Sequence, residues 1–312
     1  MQFGMLIDGE FVTANAEPRI DSINPATLAS TGSVPTASAT DVDRAVRAAA
    51  HAQRDWAQRS VWERAAQLRT LAASIRARGT EILQLEAADT GNTIGKLGAD
   101  VQIAAGYLEY FAGLGSELKG ETIPATARGL HFTLREPYGV VARIVPFNHP
   151  FMFAAAHLAA PLMAGNAVVL KTPETSPLSG SLLAELCAAH LPRGLVNVLH
   201  GYGMPTGDAL VRHPLVRRIG FTGSAATGLE IQRAAAETGD PGATRKSAGE
   251  ADPRRAFRAQ GRDPRRRPQG HDGVRKTGCR CGCGLSFSRA FPAKRLFFRE
   301  SAEGFFVLKK IR

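Results

Sequence analysis

Three short stretches carry residue types that can do chemistry. Lys171-Thr172-Pro173-Glu174 follows an apolar run and sets a cation and an anion three residues apart. Such a pair can clamp the hydroxyls of a ribose; the plain alternative is a surface ion pair, which is worth little. Val145-Pro146-Phe147-Asn148-His149-Pro150 follows a second apolar run. An Asn amide there can donate to a developing oxyanion; the alternative is an Asn-containing turn, and His149 reads as a solvent-facing loop residue. Gly223-Ser224-Ala225-Ala226-Thr227-Gly228 follows a third run and opens a helical pattern. Backbone N–H groups at a helix N-terminus suit phosphate, and the competing reading is a capping turn. This is not a P-loop, because no Lys-Ser/Thr follows its second glycine. Gly201-Tyr202-Gly203 reaches its next glycine at Gly207, one residue late for the dinucleotide Gly-x-Gly-x-x-Gly pattern.

The cysteines offer less. Cys187 stands alone in the first 245 residues and shares a helical stripe with Leu183, which fits a core cysteine. Cys279, Cys281 and Cys283, with His271 nearby, are spaced more tightly than the ligands of structural zinc sites, so no metal is expected.

The elements that must hold these stretches follow from hydrophobic period. From 130 onward the chain alternates strand and helix. Strands are predicted at 131–136, 140–145, 167–170, 196–199 and 218–221, and helices at 151–164, 177–191, 207–211 and 224–238. The run 140–145 is nearly continuous in apolar residues, as a strand buried on both faces requires. The crossovers are long enough for parallel strands, so the fold class is α/β, a doubly wound parallel sheet with flanking helices. In such sheets ligands bind outside the carboxyl ends of the strands, where all three stretches fall. Upstream, 40–118 is helical. One stripe is Val42, Ala45, Val46, Ala49 and Trp56; a capping-box pattern Ser60/Glu63 precedes Leu68, Leu71, Ala72 and Ile75; a third stripe is Ile103, Ala104, Tyr107, Leu108 and Phe111. Residues 1–35 are short extended pieces, with Asp8-Gly9 as a hairpin turn and Asn24-Pro25 as a break.

The chain has 312 residues, 44% of them hydrophobic, and a formal net charge of +11. The charge is local: residues 246–312 hold 18 Lys and Arg against 6 Asp and Glu, a net of +12, while the first 245 hold 21 against 22. A basic footprint over the whole surface is therefore excluded. No basic segment followed by a long apolar one opens the chain, and no apolar run of roughly 18 residues occurs, so neither a signal peptide nor a membrane helix is expected. Sparse cysteine points to a reducing cytoplasm. After Thr244 both hydrophobic periods stop, and 246–290 is rich in Arg, Gly and Pro, as expected of a disordered basic tail.

In this order, the stretches 145–150, 161–167, 170–177 and 220–224 together resemble the aldehyde dehydrogenase superfamily. Ile7-Asp8-Gly9-Glu10-Phe11 and Ile23-Asn24-Pro25-Ala26-Thr27 fit the same resemblance, which covers roughly 5–240. It implies a Rossmann-like cofactor domain and oxidation of an aldehyde through a cysteine thiohemiacetal. By similarity Asn148 would serve the oxyanion, and Ile144, Pro146 and Phe147 would line the cofactor cleft. Lys171 and Glu174 would bind the adenosine ribose, Gly203 and Gly207 would flank the adenine, and Phe221, Thr222, Gly223 and Ser224 would meet the pyrophosphate. A carboxylate at 174 repels a 2′-phosphate, so NAD is expected over NADP. The resemblance divides the chain into an N-terminal helical part of the cofactor domain (1–126), an oligomerisation-type hairpin (127–139), a Rossmann-like part (140–245) and an aberrant basic tail (246–312). The family forms homo-oligomers, but the C-terminal partner of the hairpin strands is missing from this sequence.

Two departures matter. Lys246-Ser247-Ala248-Gly249-Glu250 stands where the family opens its Glu-Leu-Gly-Gly-Lys motif, and the tail cysteines lack a Gly-Gln-x-Cys setting. Neither the nucleophile nor the general base is carried over to any residue, and the chain is expected to be inactive. A non-catalytic dinucleotide-binding protein is the alternative, with nucleic-acid binding through the Arg-rich tail weighed lower. The abrupt switch near 244 reads as translation out of frame, or else as a grafted basic arm.

Overall fold

The computed structural model describes residues 3–13, 18–126 and 129–237. The basic tail, with Cys279, Cys281, Cys283 and His271, lies outside the described residues. The centre is a six-stranded sheet in the order β10-β7-β8-β9-β1-β2. Its parallel part is β7 (Val140–Ile144), β8 (Ala167–Lys171), β9 (Val196–Leu199) and β10 (Val216–Phe221). Continuous apolar sequence gives strands buried on both faces, and every residue of β8 and β9 is buried. β1 (Met5–Ile7) joins β9 antiparallel and turns into β2 (Glu10–Val12). Asp8 and Gly9 make that turn at φ 52° and 72°, the left-handed pair a two-residue hairpin needs. Asn24 closes its own turn, its Oδ1 accepting from Ala26 N at 2.9 Å, between β3 (Arg19–Ile23) and β4 (Ser30–Pro35), which form a separate pair.

Helices cover both faces. α1 (Ala39–Gln58), α7 (Asp208–Arg212) and α8 (Ala225–Glu237) lie together on one side. α5 (Pro150–Met163) and α6 (Leu178–His190) lie on the other, backed by α2 (Val61–Ala77), α3 (Gly79–Thr90) and α4 (Ile94–Gly113). The Ser60/Glu63 capping box is present: Ser60 N donates to Glu63 Oε2 at 2.8 Å and Glu63 N to Ser60 Oγ at 3.2 Å. Among the described residues no helix is long and apolar enough to cross a membrane.

Two expectations need correction. The stripe predicted on α4 is rotated: Ala104 and Leu108 are buried, with Val101 and Ala105, but Ile103 and Tyr107 are 40% and 49% exposed. Small residues carry the packed face there, because alanines let α4 approach α2 and α5 closely. The extended segment at 131–136 ends at Phe132; the antiparallel pair is β5 (Thr122–Thr126) with β6 (Gly129–Phe132).

Trp56 ties the layers together. It is 1% exposed, and its Nε1 donates to the carbonyl of Leu162 at 2.8 Å, joining the end of α1 to the end of α5. Trp56→Ala is expected to cost about 3–5 kcal/mol in urea unfolding. Trp56→Phe, which keeps most of the volume but loses the donor, should cost roughly 1–2 kcal/mol. Equal losses for the two variants would show that packing contributes nothing beyond the hydrogen bond.

Candidate functional site

The carboxyl ends of β10, β7 and β8 lie side by side. Thr222 N donates to Ile144 O at 3.1 Å and Val145 N to Lys171 O at 3.3 Å, so the three strand-end loops leave the sheet in register. Ile144 and Pro146 are half-buried, while Phe147 (65% exposed) and Asn148 face solvent.

The loop after β7 is pinned at three consecutive residues. The Phe147 carbonyl accepts from Ser176 Oγ at 3.3 Å, and the Asn148 carbonyl accepts from Asn92 Nδ2 at 2.9 Å. His149 Nδ1 meets Asp100 Oδ2 at 2.7 Å. His149 is therefore not the free loop residue expected; it is the residue that starts α5, held by a buried carboxylate of α4. The backbone of Asn148 is fixed from both sides, and its side-chain amide has no partner among the described residues. An exposed donor on a fixed backbone is what an oxyanion contact needs.

At the end of β8, Lys171 is buried, and its Nζ donates to Thr172 O at 3.0 Å and Glu174 Oε2 at 3.2 Å. Burial pulls the Lys171 ammonium below its usual range, and Glu174 partly restores it. This is more than a surface ion pair: only the Glu174 side chain, 42% exposed, reaches water. The aliphatic stem of Lys171 runs beside Gly207, where a Cβ would sit 3.7 Å from its Cδ. Gly203 and Gly207 bound one tight turn, held by Gly207 N to Tyr202 O at 3.1 Å and Thr206 Oγ1 to Ala37 O at 2.7 Å. A Cβ on Gly203 would meet nothing within 4 Å, so space stands open there.

At the end of β10, Phe221 is buried and Gly223 gives room to its ring; a Cβ at 223 would fall 2.4 Å from Phe221 Cζ. Ser224 caps α8, its Oγ accepting from Thr227 N at 3.2 Å and its carbonyl from Gly228 N at 3.0 Å. The capping reading thus holds for the serine hydroxyl. It leaves the N–H groups of Ala225 and Ala226 at an exposed helix start, pointing out of the helix as first-turn donors do.

Several supports lie outside the stretches singled out from sequence. Glu86 and Asp89 of α3 sit against the starts of α5 and α6: Glu86 Oε2 accepts from Phe151 N at 3.3 Å and Asp89 Oδ2 from Leu178 N at 2.9 Å. Burial pushes Glu86 up to about 8 and Asp89 up to about 6. Their signal was available: Ile82, Glu86 and Asp89 share one helical stripe, so two carboxylates occupy core-facing positions. His200 is buried beneath β8, its Nδ1 2.7 Å from Thr172 Oγ1 and its Nε2 3.1 Å from Gly4 O, and burial drives it down to about 4. Cys187 is buried in α6 and its thiol is pushed up to about 12, so it is inert at neutral pH.

Comparisons with known proteins agree on one relationship. The model of the aldehyde dehydrogenase family matches residues 11–244. An aldehyde dehydrogenase of Talaromyces stipitatus is 44% identical over 232 residues, covering 73% of this chain and 45% of that protein. A hydroxyisobutyraldehyde dehydrogenase of Mycolicibacterium austroafricanum is 39% identical over 230 residues, covering 73% and 46%. Among solved structures, the NAD+ complex of an aldehyde dehydrogenase from Bacillus cereus is 36% identical with a TM-score of 0.74, over 76% of this chain and 49% of that one. The chain spans about half the length of the curated relatives it matches.

Proposed function

Because the chain belongs to the aldehyde dehydrogenase family, we propose that residues 140–237 form the dinucleotide-binding part of an oxidoreductase that converts an aldehyde to a carboxylic acid, with NAD as cofactor. The observation that carries this reading is that the ends of β8, β7 and β10 lie side by side, with the Lys171–Glu174 pair, flanked by Gly207, at the first and the exposed start of α8 after the last. The residues present fit the group. Glu174 keeps an exposed carboxylate oriented by Lys171 for ribose hydroxyls, and the open space at Gly203 accepts a flat ring. First-turn N–H groups of α8 suit a pyrophosphate. Ile144, Pro146 and Phe147 supply the wall of the cleft.

When bound, NAD would supply the hydride acceptor. Asn148 would do the protein's share at the reacting carbon, its amide donating to the oxygen on which charge develops. Its carbonyl bond from Asn92 and the His149–Asp100 contact keep that donor from swinging away. Preorganisation of this kind lowers a barrier because nothing has to reorganise as charge forms.

Calorimetric titration of the chain with NAD tests the reading. NAD is expected to bind, and Glu174→Ala is expected to weaken it about 10- to 100-fold, the range for losing hydrogen bonds to a charged group. NADP should bind more weakly than NAD to the parent chain, and the gap should narrow in Glu174→Ala, since the repelling carboxylate is gone. Absence of heat with either dinucleotide on folded protein would sink the assignment.

A further inference from the structure

Two arginines on neighbouring strands have no counter-charge among the described residues. Arg143 of β7 and Arg218 of β10 share one face of the sheet, because the parallel register sets Arg218 opposite Val141 and Gly220 opposite Arg143. Arg143 is 8% exposed, yet its guanidinium makes no hydrogen bond and no ion pair among the described residues. The Nε atoms of both arginines are buried without a partner. Arg218 lies over the ring of Tyr138, 5.6 Å from its centroid, which shields one side of the cation without neutralising it. The residue opposite Arg143 is Gly220, and a Cβ there would fall 2.1 Å from Arg143 Nη1. The guanidinium therefore occupies a seat that any larger residue would fill. On the same side His157 of α5 is half-buried and neutral, held down to about 3 by desolvation and by Arg143.

A largely buried, unpaired cation such as Arg143 is costly, and the half-buried Arg218 beside it adds like-charge repulsion. A planar fork of N–H donors meets that cost when it receives a group with two or more anionic oxygens. β10 is the edge of the described sheet, bonded only to β7. We infer that Arg143 and Arg218 form a binding site for an oxyanion, a phosphate or carboxylate group, on the sheet face beside the β10 edge. The anion can arrive free in solution or on a polypeptide segment laid along that edge; the chemistry is the same. The site is distinct from that of the dinucleotide reading, whose residues lie at or beyond the carboxyl ends of the strands.

Inorganic phosphate is the probe, titrated into the full chain at constant chloride while thermal unfolding is followed. Filling by free phosphate predicts a saturable rise in Tm, on the order of 5–10 °C at about 100 times Kd. Arg143→Met or Arg218→Met should abolish the rise. Filling by a polypeptide carboxylate predicts no phosphate response, and a Tm lowered by several degrees in Arg143→Met, because an anion is left unpaired. Two results overturn the inference. One is a phosphate response that persists in both variants. The other is no response together with an Arg143→Met chain as stable as the parent or more so. Far-UV circular dichroism reports whether each variant folds, and Arg218→Met carries the same comparison should Arg143→Met not fold.

Discussion

Glu86→Gln is expected to remove most of the loss of stability that the chain suffers as pH rises from about 5.5 to 8.5. Glu86 is 1% exposed, and burial raises its carboxyl from 4.5 to about 8. Between those values the folded state keeps a proton that the unfolded state has released. Stability is therefore highest on the acid side of this window and falls as pH climbs through it. At about 1.4 kcal/mol per unit, the fall is on the order of 3–5 kcal/mol, a large part of a domain's whole stability. Asp89, raised from 3.8 to about 6, acts with the same sign in a lower window. His200 and His157 act in the opposite sense: burial lowers them to about 4 and about 3, so stability falls as pH drops below 6.5. Glutamine can still accept from Phe151 N, so α5 keeps its start while the alkaline penalty disappears. Urea midpoints across the pH range check this. Parallel curves for the parent and Glu86→Gln would show that Glu86 is ionised in the fold at neutral pH.

That carboxylate marks the boundary of what the sequence discloses. β8 and β9 are legible because they are buried on both faces and almost wholly apolar, and the Ser60/Glu63 capping box because one short spacing suffices to state it. The strand-end stretches are legible for the same reason: each is contiguous, and the sheet's topology alone brings the contiguous pieces side by side. What holds them is not contiguous. His149 is paired 49 residues away with Asp100, and Asn148 is pinned 56 residues away by Asn92. No local period announces such contacts. The face of α4 is misjudged because Ile103 and Tyr107 are apolar and exposed, while the side that packs is built of Ala104, Ala105 and Ala112. Arg143 hides differently: it stands inside an apolar run, where strand period takes it for a tolerated exception and only the fold shows it buried and unpaired.

Turnover of an aldehyde by the 312-residue chain is expected to stay at background even with NAD saturating. The proposed oxyanion donor and cofactor residues would supply one half of the chemistry; a nucleophile and a general base would have to supply the other. Those two act as a unit, and losing either removes roughly 10⁴–10⁶ in rate. Cys187 cannot substitute, being buried with its thiol held at about 12. Cys279, Cys281 and Cys283 stand in a Cys-Arg-Cys-Gly-Cys context that offers no family motif. Reduction of NAD followed at high protein concentration, with a panel of aliphatic and aromatic aldehydes, makes the measurement. Turnover above background that vanished in Cys279→Ser, Cys281→Ser or Cys283→Ser would overturn the expectation and assign the nucleophile at once. The coding DNA supplies an independent check on the origin of residues 246–312. If the switch in charge near residue 244 is a change of reading frame, another forward frame downstream of residue 240 should encode a Glu-Leu-Gly-Gly-Lys motif followed by a Gly-Gln-x-Cys motif. A gene restored to that frame is then expected to oxidise aldehydes. If neither forward frame contains those motifs, the basic arm is an evolved segment, and binding without catalysis is the function of the chain.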